Sequence, residues 1–160
     1  MGAGKTRQGE LVSARLGLPF VDLDDLVEAA AGMTIRSLFG RFGETYFREL
    51  EHQCLIGTTR LPGAVIGTGG GTFSFERNRR LIRDSGTSLF IDVDFDSIVQ
   101  RLGPVGRAKR PLFDDEVRAR ELYEQRLPAY RSADLRVEVH PDDAKEDVAD
   151  RILRLIRDTP

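Results

Sequence analysis

Cysteine and long apolar runs are scarce in this 160-residue sequence. Cys54 is the only cysteine, so no disulfide can form within the chain, and a reducing cytoplasm is the natural compartment for it. No apolar run approaches the ~20 residues that span a membrane, and the first residues lack the pattern of a signal peptide. We therefore expect a cytoplasmic protein with no membrane partner, in which Cys54 packs among apolar helix residues.

The sequence also lacks a strong charge of either sign. The formal net charge is −2, with 24 lysines and arginines against 26 aspartates and glutamates. This balance excludes a global basic field that attracts nucleic acid, so individual arginines would have to bind any anionic ligand. Internal repeats and low-complexity tracts are absent as well. With 40% apolar residues, the composition predicts one folded domain over residues 1–160, which we expect to be monomeric.

Short apolar runs alternate with segments of helical period along the chain. Phe47, Leu50 and Cys54 recur at helical spacing, as do Val148 and Ile152 near the end. The runs between the helical segments are short and rich in β-branched or aromatic residues, which is typical of strands. They are residues 19–22, 64–68, 88–93 and 135–139. This alternation predicts an α/β domain with a largely parallel sheet.

Residues 104–111 interrupt the alternation. Their sequence, PVGRAKRP, combines two prolines and a glycine with three cations. Such a composition is typical of turns and exposed loops, because proline and glycine disfavour regular structure. We therefore expect a mobile basic loop here rather than a core element.

The first residues, MGAGKT, match the second half of the GxxxxGK[ST] phosphate loop. In that loop backbone N–H groups surround the phosphates, the lysine reaches the outer phosphates and the hydroxyl residue binds Mg²⁺. Gly2, Gly4, Lys5 and Thr6 provide these parts, and the helix that follows would direct its N-terminus at the same anion. The alternative is a disordered glycine-rich terminus, and the half-motif alone does not separate the two.

Two aspartates follow the apolar run PFVD. Asp22 ends the run, and Asp24 lies two residues later in the turn to a helix. Carboxylates placed in this way can bind Mg²⁺ or its water shell, and can orient or deprotonate a hydroxyl nucleophile. Capping of the helix is the commoner role of such an aspartate. Asp92, at the end of the run SLFIDV, is a competing acid that position in the chain does not distinguish.

A glycine-rich segment, GTGGGT, lies at the end of the second apolar run, at residues 67–72. Three consecutive glycines allow another molecule to approach the backbone closely, and ligands of open α/β sheets bind beyond the carboxyl ends of strands. Ordering three glycines carries a large entropic cost for a simple turn. We therefore favour a ligand contact over a flexible turn.

Three arginines stand in positions where they could bind an anion. Arg48 lies three residues before Glu51, hence on the same helix face, where the carboxylate could steady the guanidinium. Arg110 belongs to the basic segment, and Arg126 precedes Pro128, at which a helix should stop or kink. Taken singly, each is more typical of a solvated residue or a surface ion pair.

Taken together and in order, these motifs resemble the shikimate kinase family over nearly the whole chain. They are GKT, LGLPFVDLDD, FGETYFRELE, GTGGGT, KRPL and QRLPAYRSAD. The resemblance implies a three-layer α/β/α P-loop kinase fold with a five-stranded parallel sheet and a lid over about residues 104–116. It also implies transfer of the γ-phosphoryl group of ATP to the 3-hydroxyl of shikimate, in aromatic amino acid biosynthesis, with Mg²⁺ as the cofactor.

By the same resemblance, the nucleotide site consists of the phosphate loop, the metal ligands and a lid arginine. Lys5 would contact phosphate, while Thr6 and Asp22 would bind Mg²⁺. Arg110 would close over ATP and offset charge on the transferring phosphoryl group, and Arg101 would lie near the adenine. The remaining members of the site are Gly2, Ala3 and Gly4 of the loop and the adenine-side segment at His140 and Pro141.

The resemblance also implies the shikimate site. Asp24 would hold the shikimate hydroxyls and is the candidate base. Arg48, Gly70 and Arg126 would complete the site. The two arginines suit the substrate carboxylate, because a guanidinium can bind a carboxylate through two parallel hydrogen bonds.

The N-terminus departs from the family pattern. The family has a strand and the first glycine of the loop ahead of MGAGKT, and that strand is central in its sheet. We expect that Met1 is the internal methionine of a longer FMGAGKT motif and that the upstream DNA encodes the strand in frame. Arg7 and Gln8 also stand where the family has a small hydroxyl residue and an apolar residue, so Gln8 would face a partly apolar environment.

Two other functions stay open. The first is a kinase of another small polyol or sugar acid such as gluconate, although the set of Arg48, Gly70 and Arg126 argues against it. The second is a non-catalytic binding or regulatory module that retains the kinase fold. The intact GKT and aspartate motifs argue against that possibility.

Overall fold

A computed structural model of the chain describes residues 2–108 and 115–159, in which four β-strands and seven α-helices are formed. By their contacts the residues divide into two compact units. The terminal unit comprises Met1–Gln8 and Thr87–Pro160, and the middle unit comprises Gly9–Gly86. The predicted single domain over residues 1–160 stays a prediction.

The middle unit is built on one pair of parallel strands and the helices around it. Its elements are, in chain order, α1 (Lys5–Leu16, which begins in the terminal unit), β1 (Phe20–Asp22), α2 (Leu23–Ala31), α3 (Ile35–Thr58), β2 (Val65–Gly67), a short 3₁₀ turn (Thr72–Ser74) and α4 (Glu76–Ser85). Strands β1 and β2 run parallel, with Asp22 opposite Gly67. The segments that follow the two strands therefore leave the sheet at the same edge.

Helices α2 and α3 provide the apolar core of the middle unit. Val27, Leu38 and Phe47 are buried together, and Leu50 and Cys54 pack against them. Each fully buried side chain of this kind stabilises the fold by roughly 1.5–3 kcal/mol. Burial also raises the pKa of the Cys54 thiol. The predicted helical face of Phe47, Leu50 and Cys54, and the packing role of this cysteine, are thus confirmed.

The terminal unit has the same construction. Besides the first turn of α1, its elements are β3 (Leu89–Asp92), α5 (Phe95–Ala108), α6 (Glu116–Tyr130), β4 (Leu135–Glu138) and α7 (Lys145–Arg157). Strand β3 pairs in parallel with β4, and Asp92 lies opposite Glu138. The buried apolar residues of this unit include Val93, Ile98, Val137, Val148 and Ile152.

The four strands lie inside the four predicted runs, and both pairs are parallel. The predicted α/β class with parallel strands is therefore confirmed. The final helix is also where the spacing of Val148 and Ile152 places it, since both side chains are buried on α7.

The predicted loop at residues 104–111 is wrong for its first part, because the backbone is helical as far as Ala108. Gly103, with φ 57° and ψ −178°, breaks α5 into two segments. Pro104 follows at once, at the start of the second segment, where proline is tolerated because the first turn of a helix needs no N–H partner. Residues 109–114, in the middle of the predicted lid, lie outside the described residues.

Helix α6 differs from the prediction in a similar way. It continues two residues past Pro128 and ends at Tyr130. Pro128 stands in the last turn, so its missing N–H removes a single helical hydrogen bond and leaves the preceding turns intact. Among the described residues, no helix is both long and apolar enough to cross a membrane.

Candidate active site

The residues of the GKT motif lie at the N-terminus of α1. Helix α1 begins at Lys5, and the N–H of Gln8 donates to the carbonyl of Gly4 at 3.0 Å. Gly4 has φ 88°, a conformation that only glycine adopts readily. The first turn contains no acidic residue. The N-terminus of the helix, together with the cations Lys5 and Arg7, is therefore a positive end that favours an anion.

Two contacts hold this loop within the terminal unit. Gly2 lies closely against Ile98 and Leu102 of α5. One turn into α1, Gln8 is 7% exposed, and its Nε2 donates to the carbonyl of Lys145 at 3.2 Å. Its Oε1 is buried without a partner among the described residues. The predicted apolar surroundings of Gln8 stay a prediction.

The two aspartates after β1 have different surroundings. Asp22 is the N-cap of α2, since its Oδ1 accepts a hydrogen bond of 3.1 Å from the N–H of Asp24. Asp24 is half-buried, and its Oδ1 lies 3.3 Å from the position that a Cβ on Gly69 would occupy. Asp22 therefore caps α2, which is the commoner role of such an aspartate. Asp24 instead faces the glycine segment, because β1 and β2 end at the same edge.

Arg48 lies flat against this glycine segment. A Cβ on Gly71 would be 2.4 Å from its Nη1 and 2.6 Å from its Cζ, so only a glycine admits the guanidinium here. Nη1 of Arg48 donates to Glu51 at 2.9 Å, and Nε donates to Glu44 at 3.2 Å. The Arg48 side chain is 14% exposed and that of Glu51 is 1% exposed. The Arg48–Glu51 pair is therefore a buried interaction rather than the surface ion pair that such spacing usually forms.

The sequence gives no signal for three further residues near Arg48. Oγ1 of Thr72 donates to Glu51 at 2.7 Å, and Nδ2 of Asn78 donates to the carbonyl of Thr72 at 2.9 Å. Asn78 in turn contacts Nδ1 of His52 at 2.6 Å. Thr72 and Asn78 are buried. No periodicity distinguishes them from ordinary turn and helix residues, and the contacts with Glu51 and His52 join residues more than 20 positions apart in the chain.

Asp92, the competing strand-end acid, is engaged elsewhere. Its Oδ2 accepts a hydrogen bond of 2.6 Å from Nε of Arg136, on the neighbouring strand β4. Arg136 also pairs with Glu138 at 2.9 Å. Asp92 thus belongs to a cross-strand ion-pair network, which leaves Asp22 and Asp24 as the better candidates for chemistry.

The two adenine-side predictions meet in the terminal unit. Nη2 of Arg101 donates to the carbonyl of His140. The N–H of His140 donates to the carboxylate of Asp143 at 2.7 Å, and Arg151 pairs with the same carboxylate. These hydrogen bonds, the one from His140 first, lower the pKa of Asp143 below its ordinary value. The turn at His140 is therefore held by Arg101 on one side and by Asp143 on the other.

Arg126 is half-buried on α6. None of the residues that the structure describes forms an ion pair or hydrogen bond with its guanidinium. A half-buried cation without such a partner is suited to an anionic ligand. Arg110 lies outside the described residues.

Each unit thus brings part of the predicted site together. In the middle unit, Asp24 and Arg48 face the glycine segment, with Asp22 and Gly70 close by in the chain. The terminal unit holds the phosphate loop, Arg101 and Arg126. In residues 2–108 and 115–159, no group of three or more histidine, cysteine, aspartate or glutamate side chains is arranged to hold a metal ion.

Comparison with known proteins gives one consistent result. A family model described as "Shikimate kinase" matches residues 1–157. Shikimate kinase from Cereibacter sphaeroides is 43% identical over 141 residues, which cover 86% of this chain and 70% of that enzyme. The enzyme from Caldanaerobacter subterraneus is 38% identical, with 96% of this chain and 90% of that enzyme covered. A solved shikimate kinase from Acinetobacter baumannii, in complex with shikimate, is 33% identical, with a TM-score of 0.89 and coverage of 98% and 88% of the two chains.

Proposed function

The chain belongs to the shikimate kinase family, and from that premise we propose that it transfers the γ-phosphoryl group of ATP to the 3-hydroxyl of shikimate. It is accordingly an ATP-dependent kinase with the P-loop kinase fold. The observation that supports the choice of substrate best is the arrangement at the end of β1 and β2. There the guanidinium of Arg48, a side chain that is only 14% exposed, and the carboxylate of Asp24 face one glycine segment.

The phosphate groups of ATP are assigned to the start of α1. Lys5 and the N–H groups of the first helical turn provide positive charge without any carboxylate nearby in the turn. Phosphoryl transfer is accelerated mainly by positioning and by neutralisation of charge. Lys5 and the N-terminus of α1 are suited to both tasks. Arg110 is assigned to the same task as a lid arginine.

Thr6 and Asp22 are assigned to Mg²⁺. A hydroxyl and a carboxylate are the oxygen ligands that Mg²⁺ prefers, and this ion usually keeps several waters and binds phosphate oxygens beside one or two protein ligands. The donor set therefore fits Mg²⁺ without a cage of three carboxylates. When bound, the ion would neutralise charge on the phosphates.

Shikimate is assigned to Asp24, Arg48, Gly70 and Arg126. The substrate carries a carboxylate at one end and hydroxyls at the other. A guanidinium binds the carboxylate through two parallel hydrogen bonds, and Asp24 can accept hydrogen bonds from the hydroxyls and take the proton of the attacking one. Arg126 contributes a second guanidinium. Closure over the bound nucleotide would exclude water, which otherwise competes for the phosphoryl group.

The enzyme is proposed to act as a monomer in the cytoplasm. The single cysteine is consistent with a reducing compartment. Size-exclusion chromatography with light scattering tests the oligomeric state, for which we expect the mass of one chain.

The substrate assignment is tested with the protein expressed from its complete reading frame. Release of ADP is followed in a coupled assay with shikimate and, separately, with gluconate. We expect turnover with shikimate only. Turnover with gluconate at a comparable kcat/KM would favour the sugar-acid kinase, and no turnover with either substrate would favour a non-catalytic module.

The role of Arg126 is tested in the same assay with Arg126→Lys. Lysine keeps the charge and loses the paired hydrogen bonds, so the KM for shikimate should rise roughly tenfold while the KM for ATP is unchanged. Arg118→Lys, on the exposed side of the same helix, is the matched control. An unchanged shikimate KM in Arg126→Lys would remove this residue from the site.

A further inference from the structure

Hydrogen bonds join Glu51 to Thr72, Thr72 to Asn78 and Asn78 to His52, and the peptide bond between Glu51 and His52 on α3 closes these four residues into a ring. We propose that Thr72 and Asn78 are positioning residues that hold Arg48 in place for the substrate carboxylate. The ring consists of Glu51, Thr72, Asn78 and His52, and we refer to it as the Thr72 ring. This inference rests on the proposed function, because it assumes that Arg48 binds shikimate.

The hydrogen bonds of the ring have a defined direction. Thr72 donates its hydroxyl to Oε1 of Glu51 at 2.7 Å, and Asn78 donates its amide to the carbonyl of Thr72 at 2.9 Å. Oδ1 of Asn78 can only accept, so Nδ1 of His52, at 2.6 Å, is the donor. Among the described residues, no buried side-chain nitrogen or oxygen of these four residues lacks a hydrogen-bond partner. The ring fixes the 3₁₀ turn and α4 onto α3.

Arg48 is connected to the ring through Glu51. The two oxygens of this carboxylate have separate partners, Thr72 at Oε1 and Arg48 at Oε2. If the hydroxyl of Thr72 is removed, Oε1 of a buried carboxylate loses its donor. An unsatisfied buried charge has a high free energy. Rotation of the carboxylate toward the remaining donor, Arg48, lowers that free energy. Such a rotation moves the guanidinium.

The same turn also carries the surface on which the guanidinium lies. Gly71 precedes Thr72 directly and leaves no room between its Cα and Arg48. Thr72 therefore constrains Arg48 twice, through its hydrogen bond to Glu51 and through the backbone of the adjacent Gly71. This double constraint distinguishes Thr72 from the many buried threonines that only fill a core.

Burial supports a precise role for the ring. Glu51, Thr72 and Asn78 are each at most 1% exposed. Buried polar networks that are fully satisfied hold their members rigidly, whereas partly satisfied ones do not. Arg48 also stacks on Phe47, with its Cζ 4.8 Å from the ring centroid, which restricts the remaining freedom of the guanidinium.

The test compares three variants of threonine. Thr72→Val keeps the shape and removes the donor, and Thr72→Ser keeps the donor. Thr58→Val makes the same change on α3, where the hydroxyl only donates to the carbonyl of Leu55 at 2.7 Å. We expect Thr72→Val to raise the KM for shikimate roughly tenfold and to leave the KM for ATP unchanged, as loss of one hydrogen bond to a charged group predicts. Thr72→Ser and Thr58→Val should stay within about twofold of the parent.

A second measurement does not depend on turnover. The Nε–Hε resonance of Arg48 in a ¹⁵N NMR spectrum, assigned with Arg48→Lys, should be sharp in the parent and in Thr72→Ser. It should shift or broaden in Thr72→Val. Where Thr72→Val does not fold, Asn78→Leu removes the next donor of the ring at similar size and is expected to change the same KM and the same resonance.

The outcomes separate the two proposals. An unchanged shikimate KM and an unchanged Arg48 resonance in Thr72→Val would overturn the positioning role. Equal losses for shikimate and ATP would also overturn it, since they indicate general damage to the fold. If the parent shows no shikimate-dependent ADP release, the proposed function fails, and the positioning of Arg48 is then decided by the resonance alone.

Discussion

Gly71→Ala isolates the contact between Arg48 and the glycine segment. The backbone at Gly71 has φ −73° and ψ −33°, which alanine adopts without strain. The added methyl would nevertheless stand 2.4 Å from Nη1, 2.5 Å from Nη2 and 2.6 Å from Cζ of Arg48. An ordinary contact begins at 3.4 Å, so the guanidinium has to move by about 1 Å.

The expected size of the effect follows from the bonds that this movement breaks. The hydrogen bond from Arg48 to Glu51 is charged and partly buried, and its loss costs about 1.5–3 kcal/mol. Alanine recovers about 0.4–1 kcal/mol through the reduced entropy of the unfolded chain. We therefore expect the free energy of unfolding to fall by about 1–2 kcal/mol. The KM for shikimate should rise roughly tenfold to a hundredfold, and the KM for ATP should not change.

Urea unfolding and the coupled ADP-release assay measure the two effects. Gly40→Ala is the matched control, because it lies in α3 and a Cβ there would meet nothing within 4 Å. The control should gain up to about 1 kcal/mol of stability and keep both KM values. A Gly71→Ala variant that behaves like Gly40→Ala would refute the role of the Arg48 contact in substrate binding.

Three further predictions concern other parts of the chain. Lys5→Met should lower kcat roughly a hundredfold or more in the same assay, because one phosphate-binding cation is lost. Gln8→Leu should change the free energy of unfolding in urea by less than about 1 kcal/mol, since it removes both Oε1, which is buried without a partner among the described residues, and the hydrogen bond from Nε2 to Lys145. Asp143→Asn should lower stability by less than about 1 kcal/mol at neutral pH. The pKa of Asp143 is lowered in the folded state, so the parent's advantage should be full above the ordinary aspartate pKa and vanish as the pH falls through the folded pKa.

The strands could be predicted from the sequence because their positions follow from the residue types within each short run. Each strand is a short run of β-branched and aromatic residues, and all four are where those runs are. The helical segment at Pro104 could not be predicted in this way. Proline is read as a helix breaker, but after the break at Gly103 it stands at a helix start, where its missing N–H has no cost.

In the candidate site, a contact between residues close in the chain could likewise be predicted, whereas contacts between distant residues could not. The i, i+3 spacing of Arg48 and Glu51 predicts their contact, because residues three apart share a helix face. Their burial could not be predicted, since it depends on Thr72, which lies 21 residues from Glu51 in the chain. Asp22 and Asp92 likewise look equivalent as strand-end acids. They are distinguished by Arg136, which lies 44 residues beyond Asp92 and pairs with it.

The most direct test of the proposed function is the identity of the product. The protein expressed from its complete reading frame is incubated with ATP, Mg²⁺ and shikimate, and the mixture is followed by ³¹P NMR. We predict a new phosphomonoester signal that is split by the single proton on carbon 3 of shikimate, and that grows as the γ-phosphate signal of ATP declines. Consumption of ATP to inorganic phosphate alone, or no consumption when shikimate is present, would contradict the assignment of this chain as a shikimate 3-kinase.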